Sequence, residues 1–155
     1  GTILARDALG LATKVVGVVS DRAQTAKLSV EAGRLIETNS ANTFADGMAV
    51  RIPVQEAFDI YSKGADRIIA VSDDAVADAI RLYFTATHNV AEGAGAAPLA
   101  ALLKEGTAQP GGEVGLILSG GNAERELYRR ALASARLPSI LALEESRSQT
   151  GTSRH

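Results

Sequence analysis

The sequence predicts an α/β fold in which helices cover a mostly parallel sheet. Three observations predict it. Two strand-like stretches, the apolar run 15–19 and the buried strand 67–71, are each followed by a Ser-Asp pair and then by a helical pattern. Ser20 and Asp21 follow the first run; Ser72 and Asp73 follow the second. A third strand-to-helix junction stands at Leu116-Ile117-Leu118-Ser119-Gly120-Gly121-Asn122. Helix, strand, helix, strand is the alternation of a doubly wound sheet.

Taken in order, residues 2–12 are expected to form a helix, with Ile3, Leu4, Ala8, Leu9 and Leu11 near one face. The chain opens on Gly1, not on Met, which suggests a cut chain. The first amides of such a helix lack partners, so this end either holds an anion or is simply a trimmed terminus. Residues 15–19, Val-Val-Gly-Val-Val, suit a parallel strand buried on both faces. Ser20 and Asp21 cap a helix over 23–31, and Gly33 ends it. Residues 34–37 are expected as a short strand.

Residues 38–43 are polar and loop-like, and Phe44-Ala45-Asp46-Gly47 follows. An Asp-Gly pair marks a tight turn. No alternating strands flank it, so a hairpin fits poorly. Asp46 is therefore either a site carboxylate or a turn residue. Residues 54–62 read as a helix ended by Gly64, and 67–71 as a buried strand. Ser72, Asp73 and Asp74 start the next helix, where the macrodipole favours acids. Capping explains these acids, and they are not read as a metal site. Val76, Ala79, Ile80, Tyr83 and Phe84 form that helix's apolar face.

His88 stands at the helix end, either as an acid or base or as a C-terminal cap. Glu92 lies in a run of small apolar residues that begins a helix near Gly93 or Ala94. Its carboxylate either faces a site or caps that helix, because an unpaired charge among apolar groups is costly. Residues 107–113 are a surface loop, 114–118 a buried strand, 123–135 a helix, and 146–155 a frayed tail. Ser119 then sits at the carboxyl end of a strand, where open α/β sheets place ligands. Two glycines after it allow a sharp turn and close approach. The alternative is a plain turn with a capping serine or asparagine.

The 155 residues are enough for one domain that buries roughly 68–70% of its unfolded surface. A hydrophobic content of 46% is globular, not disordered. A net charge of −2 without a basic cluster argues against nucleic acid as a partner. The chain contains no cysteine, which excludes disulfides and thiolate metal sites. No apolar run has the length of a membrane span and no secretory signal opens the chain, so a soluble cytoplasmic protein is expected.

Three segments occur in order: Thr43-Phe44-Ala45-Asp46-Gly47, Glu92-Gly93-Ala94-Gly95-Ala96 and Ser119-Gly120-Gly121-Asn122. Together they resemble the carboxyl-terminal half of the fold-type II pyridoxal-phosphate enzymes, the threonine/serine dehydratase and serine racemase family. The resemblance covers most of the chain, up to about Asn122. It implies a three-layer twisted, mostly parallel sheet with helices on both faces, the large domain of such an enzyme. Residues 1–145 would be the carboxyl-terminal part of a tryptophan synthase β-like cofactor domain, and 146–155 a flexible tail.

The same resemblance implies pyridoxal 5′-phosphate as cofactor. It gives Ser119 the role of partner to the pyridine nitrogen, with Gly120, Gly121 and Asn122 shaping the pocket. It places Gly47 and Glu92 beside the cofactor and gives the amides of Gly1 and Thr2 to its phosphate. The implied reaction removes water from a β-hydroxy amino acid, L-threonine first and L-serine second, and ends in a 2-oxo acid and ammonia. A racemase or a phenylserine dehydratase is the alternative within the family. A non-catalytic or truncated homologue that binds a ligand or partner is the alternative outside it.

Two departures stand out. The family's Schiff-base lysine lies in its amino-terminal half, in a Ser-x-Lys-x-Arg-Gly context. Lys14, Lys27, Lys63 and Lys104 all lack that context. A missing amino-terminal half is therefore an expected partner, the isolated fragment is expected to be inactive, and a homo-oligomer follows from family habit. Metal-dependent relatives also carry a Glu-Pro-x-x-Ala-x-Asp segment, which aligns with residues 19–25. Val19 and Thr25 replace its two carboxylates, so no divalent cation is expected there.

Overall fold

A computed structural model describes residues 1–106 and 112–133. The expected tail 146–155 and most of the loop 107–113 lie outside the described residues. The chain divides into two compact units, residues 1–73 and 74–155.

The first unit runs α1 (Thr2–Ala8), β1 (Val16–Ser20), α2 (Thr25–Ala32), a 3-10 turn (Asp46–Met48), α3 (Gln55–Gly64) and β2 (Arg67–Val71). Branched residues fill both strands, as pleated backbone favours. The strands pair in parallel, Val16 opposite Arg67 and Ser20 opposite Val71. A parallel neighbour requires a crossover, and α2 and α3 lie within it. Bonds beyond both ends extend the ladder: Asp66 N donates to Val15 O and Asp21 N to Val71 O, each at 2.8 Å. Both strands thus finish level, and their carboxyl ends form one edge. Gly17 permits close packing, since a Cβ there would stand 3.2 Å from Ile68 Cγ1.

Two glycines stop helices. Gly10 (φ 63°) follows Leu9, and its amide and that of Leu11 bond back to Asp7 O and Arg6 O. This left-handed closure ends α1 at Ala8, short of the expected residue 12. Gly33 (φ 65°) ends α2 in the same way, as expected. The short strand expected at 34–37 does not form. The Ile36 amide donates to Ser29 Oγ at 2.9 Å instead of to a neighbouring strand. Residues 16–19 are half-buried, not buried on both faces, because β1 and β2 are the only paired strands among the described residues.

The second unit holds α4 (Asp73–Thr87) from residue 74 onward, α5 (Gly93–Glu105) and α6 (Arg125–Ala133). Val76, Ala79 and Ile80 are buried at helical spacing, as the sequence predicts. Ala91, Ala96, Ala97, Ala100, Ala101 and Ala131 are buried as well. Contacts of Phe84 and Arg81 join α4 to α6. Phe84 and Tyr128 meet edge to face at 6.2 Å between ring centroids. The buried Arg81 donates from Nη1 to Ala131 O at 2.7 Å and pairs with Asp78.

The strand expected at 114–118 is absent. These residues make no ladder, and Val114 and Ile117 are exposed. A strand exists only by pairing, and apolar branched residues cannot form one without an adjacent edge. The described residues thus give an α/β fold with a two-stranded parallel sheet. Among them, no helix is long and apolar enough to cross a membrane.

Ile80 is one of the largest fully buried side chains. Ile80→Ala is expected to destabilise the protein by about 2–5 kcal/mol through lost transfer energy and the cavity left behind. Urea denaturation checks this, and an unchanged midpoint would contradict the burial.

Candidate functional site

Glu92 opens α5 from an extended backbone (φ −75°, ψ 169°), and its carbonyl accepts from Ala96 N at 2.9 Å. Its own amide lies outside the helix and needs another acceptor. Gly120 O supplies it at 3.0 Å. This bond seats the loop 119–122 on the start of α5.

The seating depends on missing side chains. A Cβ on Gly95 would lie 2.6 Å from Gly120 O, and one on Gly121 would lie 2.6 Å from Val90 O. A Cβ on Gly120 would collide with the Glu92 carboxylate. Only glycine lets these backbones approach so closely. The sequence leaves two readings of Glu92 open, and the geometry separates them. The backbone of Glu92 caps α5, while its side chain makes no capping bond and lies against Gly120.

Ser119, Gly121 and Asn122 are exposed, and Gly120 is half-buried. Ser119 does not follow a strand, contrary to expectation, because 114–118 is unpaired. Its position comes from the Gly120 contact on one side and from α6 on the other. Arg81 secures α6 through Ala131 O. Arg81 is absent from the residues singled out in the sequence, although its i,i+3 spacing from Asp78 is a legible signal. Glu126 stands in the first turn of α6, and Arg129 and then Arg130 hold its carboxyl below the usual carboxylate range. That contribution is present above the usual range and is lost as pH falls.

The other proposed positions belong to the first unit. Gly1 and Thr2 open α1 and are exposed. Gly47 lies in the 3-10 turn, where its amide donates to Asp46 Oδ1 at 2.8 Å. Asp46 therefore serves as a turn residue. The Thr43 hydroxyl donates to Asp73 Oδ1 at 2.5 Å and accepts from Ala45 N at 3.2 Å. Arg22 Nε stands 3.9 Å from the other oxygen of Asp73. The capping role given to Asp73 missed this partnership, which spans thirty residues. Val19 and Thr25 sit where the resemblance aligns metal carboxylates, and the buried Thr25 hydroxyl donates to Val50 O at 2.7 Å. His88 (φ 59°) is the left-handed residue after α4, and its amide bonds to Phe84 O at 3.0 Å. It ends the helix, which is its capping reading.

Residues 1–120 match the pyridoxal-phosphate dependent enzyme family. The L-threonine ammonia-lyase of Thermotoga maritima is 32% identical over 132 residues, covering 85% of this chain and 33% of that protein. Among solved structures, the threonine deaminase of T.th. matches with a TM-score of 0.69 and 37% identity, covering 79% of this chain and 44% of that one. The serine racemase from Dictyostelium discoideum matches with a TM-score of 0.71 and 27% identity, covering 79% of this chain and 39% of that one. The chain thus spans between a third and less than half of the length of these relatives.

Gly95→Ala places a methyl 2.6 Å from Gly120 O and must push the loop away. The expected loss is about 1–3 kcal/mol of stability, with faster hydrogen exchange of the Glu92 amide. Wild-type stability together with wild-type Glu92 protection would overturn the contact.

Proposed function

The chain belongs to the pyridoxal-phosphate-dependent enzyme family, and from that premise we propose that the protein carrying it is a dehydratase (ammonia-lyase) of β-hydroxy amino acids. L-threonine is the first substrate and L-serine the second. The L-threonine ammonia-lyase relative supports the reaction class. The observation that carries the site is the loop Ser119-Gly120-Gly121-Asn122 seated on Glu92 by the Gly120 bond.

The residues fit the cofactor. Ser119 offers an exposed hydroxyl that can donate or accept. The space a Cβ would take at Gly120 is filled by the Glu92 carboxylate, so the loop beside Ser119 packs directly against Glu92. On this reading the Ser119 hydroxyl binds the pyridine nitrogen without enforcing a proton on it. Gly120, Gly121 and Asn122 shape the pocket, Glu92 and Gly47 border it, and the amides of Gly1 and Thr2 meet the phosphate. When bound, pyridoxal phosphate supplies the electron sink for charge developing at the substrate's α-carbon. A neutral hydroxyl partner suits loss of the β-hydroxyl, since the leaving group carries the electrons away. Water then converts the released product to a 2-oxo acid and ammonia.

The reading assigns the cofactor lysine, which would also move the α-proton, to an amino-terminal half of the same enzyme. Residues 1–145 belong, on this reading, to the carboxyl-terminal part of its cofactor domain, in which further strands complete a three-layer sheet. A cytoplasmic homo-oligomer belongs to the same proposal.

The full-length protein, supplied with pyridoxal phosphate, is expected to release 2-oxobutanoate from L-threonine and pyruvate from L-serine. No 2-oxo acid from either would overturn the reading. Ser119→Ala should weaken cofactor affinity by up to about tenfold, the worth of one neutral hydrogen bond, and slow turnover. Unchanged affinity and turnover would remove Ser119 from the site.

A further inference from the structure

We propose that Thr25 and Thr43 are positioning residues, two hydroxyl anchors that hold Ala45, Asp46 and Gly47 at the carboxyl edge of the β1–β2 sheet. The inference rests on the reading that Gly47 borders the cofactor. Residues 38–51 contain one short 3-10 turn and no strand, so helices and ladders supply little of their shape. Their placement must come from other bonds.

The loop is closed at its base by Thr38 N donating to Arg51 O at 3.0 Å. Thr25 fastens that base. Its hydroxyl donates to Val50 O at 2.7 Å and lies 3.1 Å from the Thr38 hydroxyl. Thr25 is 1% exposed and begins α2, the element that follows β1. Water has no access to replace its bond.

Thr43 fastens the middle of the loop. Its hydroxyl donates to the Asp73 carboxylate and accepts from the Ala45 amide. One side chain thus links the backbone of Ala45 to the residue two positions beyond the end of β2. A hydrogen bond to a charged acceptor is about twice as strong as a neutral one. The anchors therefore tie the loop to the start of α2 and to the exit of β2. Ala45 between them is 1% exposed, whereas Gly47 faces outward. This arrangement presents the Gly47 backbone at the sheet edge.

Thr→Val removes the hydroxyl at nearly constant volume, and Thr→Ser keeps it. The experiment uses full-length protein carrying T25V, T25S, T43V or T43S. Hydrogen exchange of residues 44–50 is followed without cofactor, and pyridoxal phosphate is then titrated. Each valine variant should speed exchange in 44–50 by roughly tenfold or more. Exchange in β1 and β2 should stay at wild-type rates, and the serine variants should restore protection. Cofactor affinity should fall with the valine variants and return with serine. Wild-type exchange in both valine variants would overturn the proposal, and so would serine variants that exchange as fast as valine ones. Faster exchange with unchanged cofactor affinity would uphold the anchors and refute the placement of Gly47 beside the cofactor. The two anchors are independent, so if one valine variant fails to fold the other still tests the proposal.

Discussion

The parallel ladder from Val16 and Arg67 to Ser20 and Val71 is the interaction on which the first unit rests. A parallel pair cannot be closed by a tight turn, so the chain between the strands must travel. That journey carries α2, the loop 38–51 and α3. Because both strands finish level, everything that leaves them starts from one edge. Asp21 N bonds across to Val71 O, Arg22 N bonds to Ser20 Oγ, and Asp73 receives Thr43. The polar groups gathered there follow from the register.

The second unit meets a different constraint. One of its contacts is backbone on backbone, Glu92 N to Gly120 O, with no side chain between. Small residues make that approach possible, and their cost is a poverty of side-chain packing. The buried part of α5 consists of glycine and alanine. Larger groups supply order elsewhere, through the Phe84–Tyr128 contact and the buried guanidinium of Arg81. Leaving Arg81 without its acceptors would be costly, so the pairing specifies where α6 lies. The loop before α6 inherits that placement.

Both candidate segments follow one rule. Backbone groups that leave a helix or a ladder must find other hydrogen-bond partners. In the loop 38–51 threonine hydroxyls meet the need, and in the loop 119–122 a helix-start amide meets it. Neither segment is regular structure, yet each is bound at defined atoms.

The sequence by itself determined the family, through three ordered segments, and determined most of the local structure. Helical spacing located α3 and α4, apolar runs located β1 and β2, and Gly33 marked the end of α2. These signals act over a few residues, which is why they can be read in one dimension. Gly10 is a legible stop, and its left-handed closure ends α1 short of the expected length. Tertiary structure alone decided the rest. Residues 114–118 have strand composition and no partner, so composition could not make them a strand. The bonds of Thr25 to Val50, Thr43 to Asp73 and Arg81 to Ala131 cross 25, 30 and 50 residues. Such pairings depend on where the whole chain returns, and no local pattern encodes that.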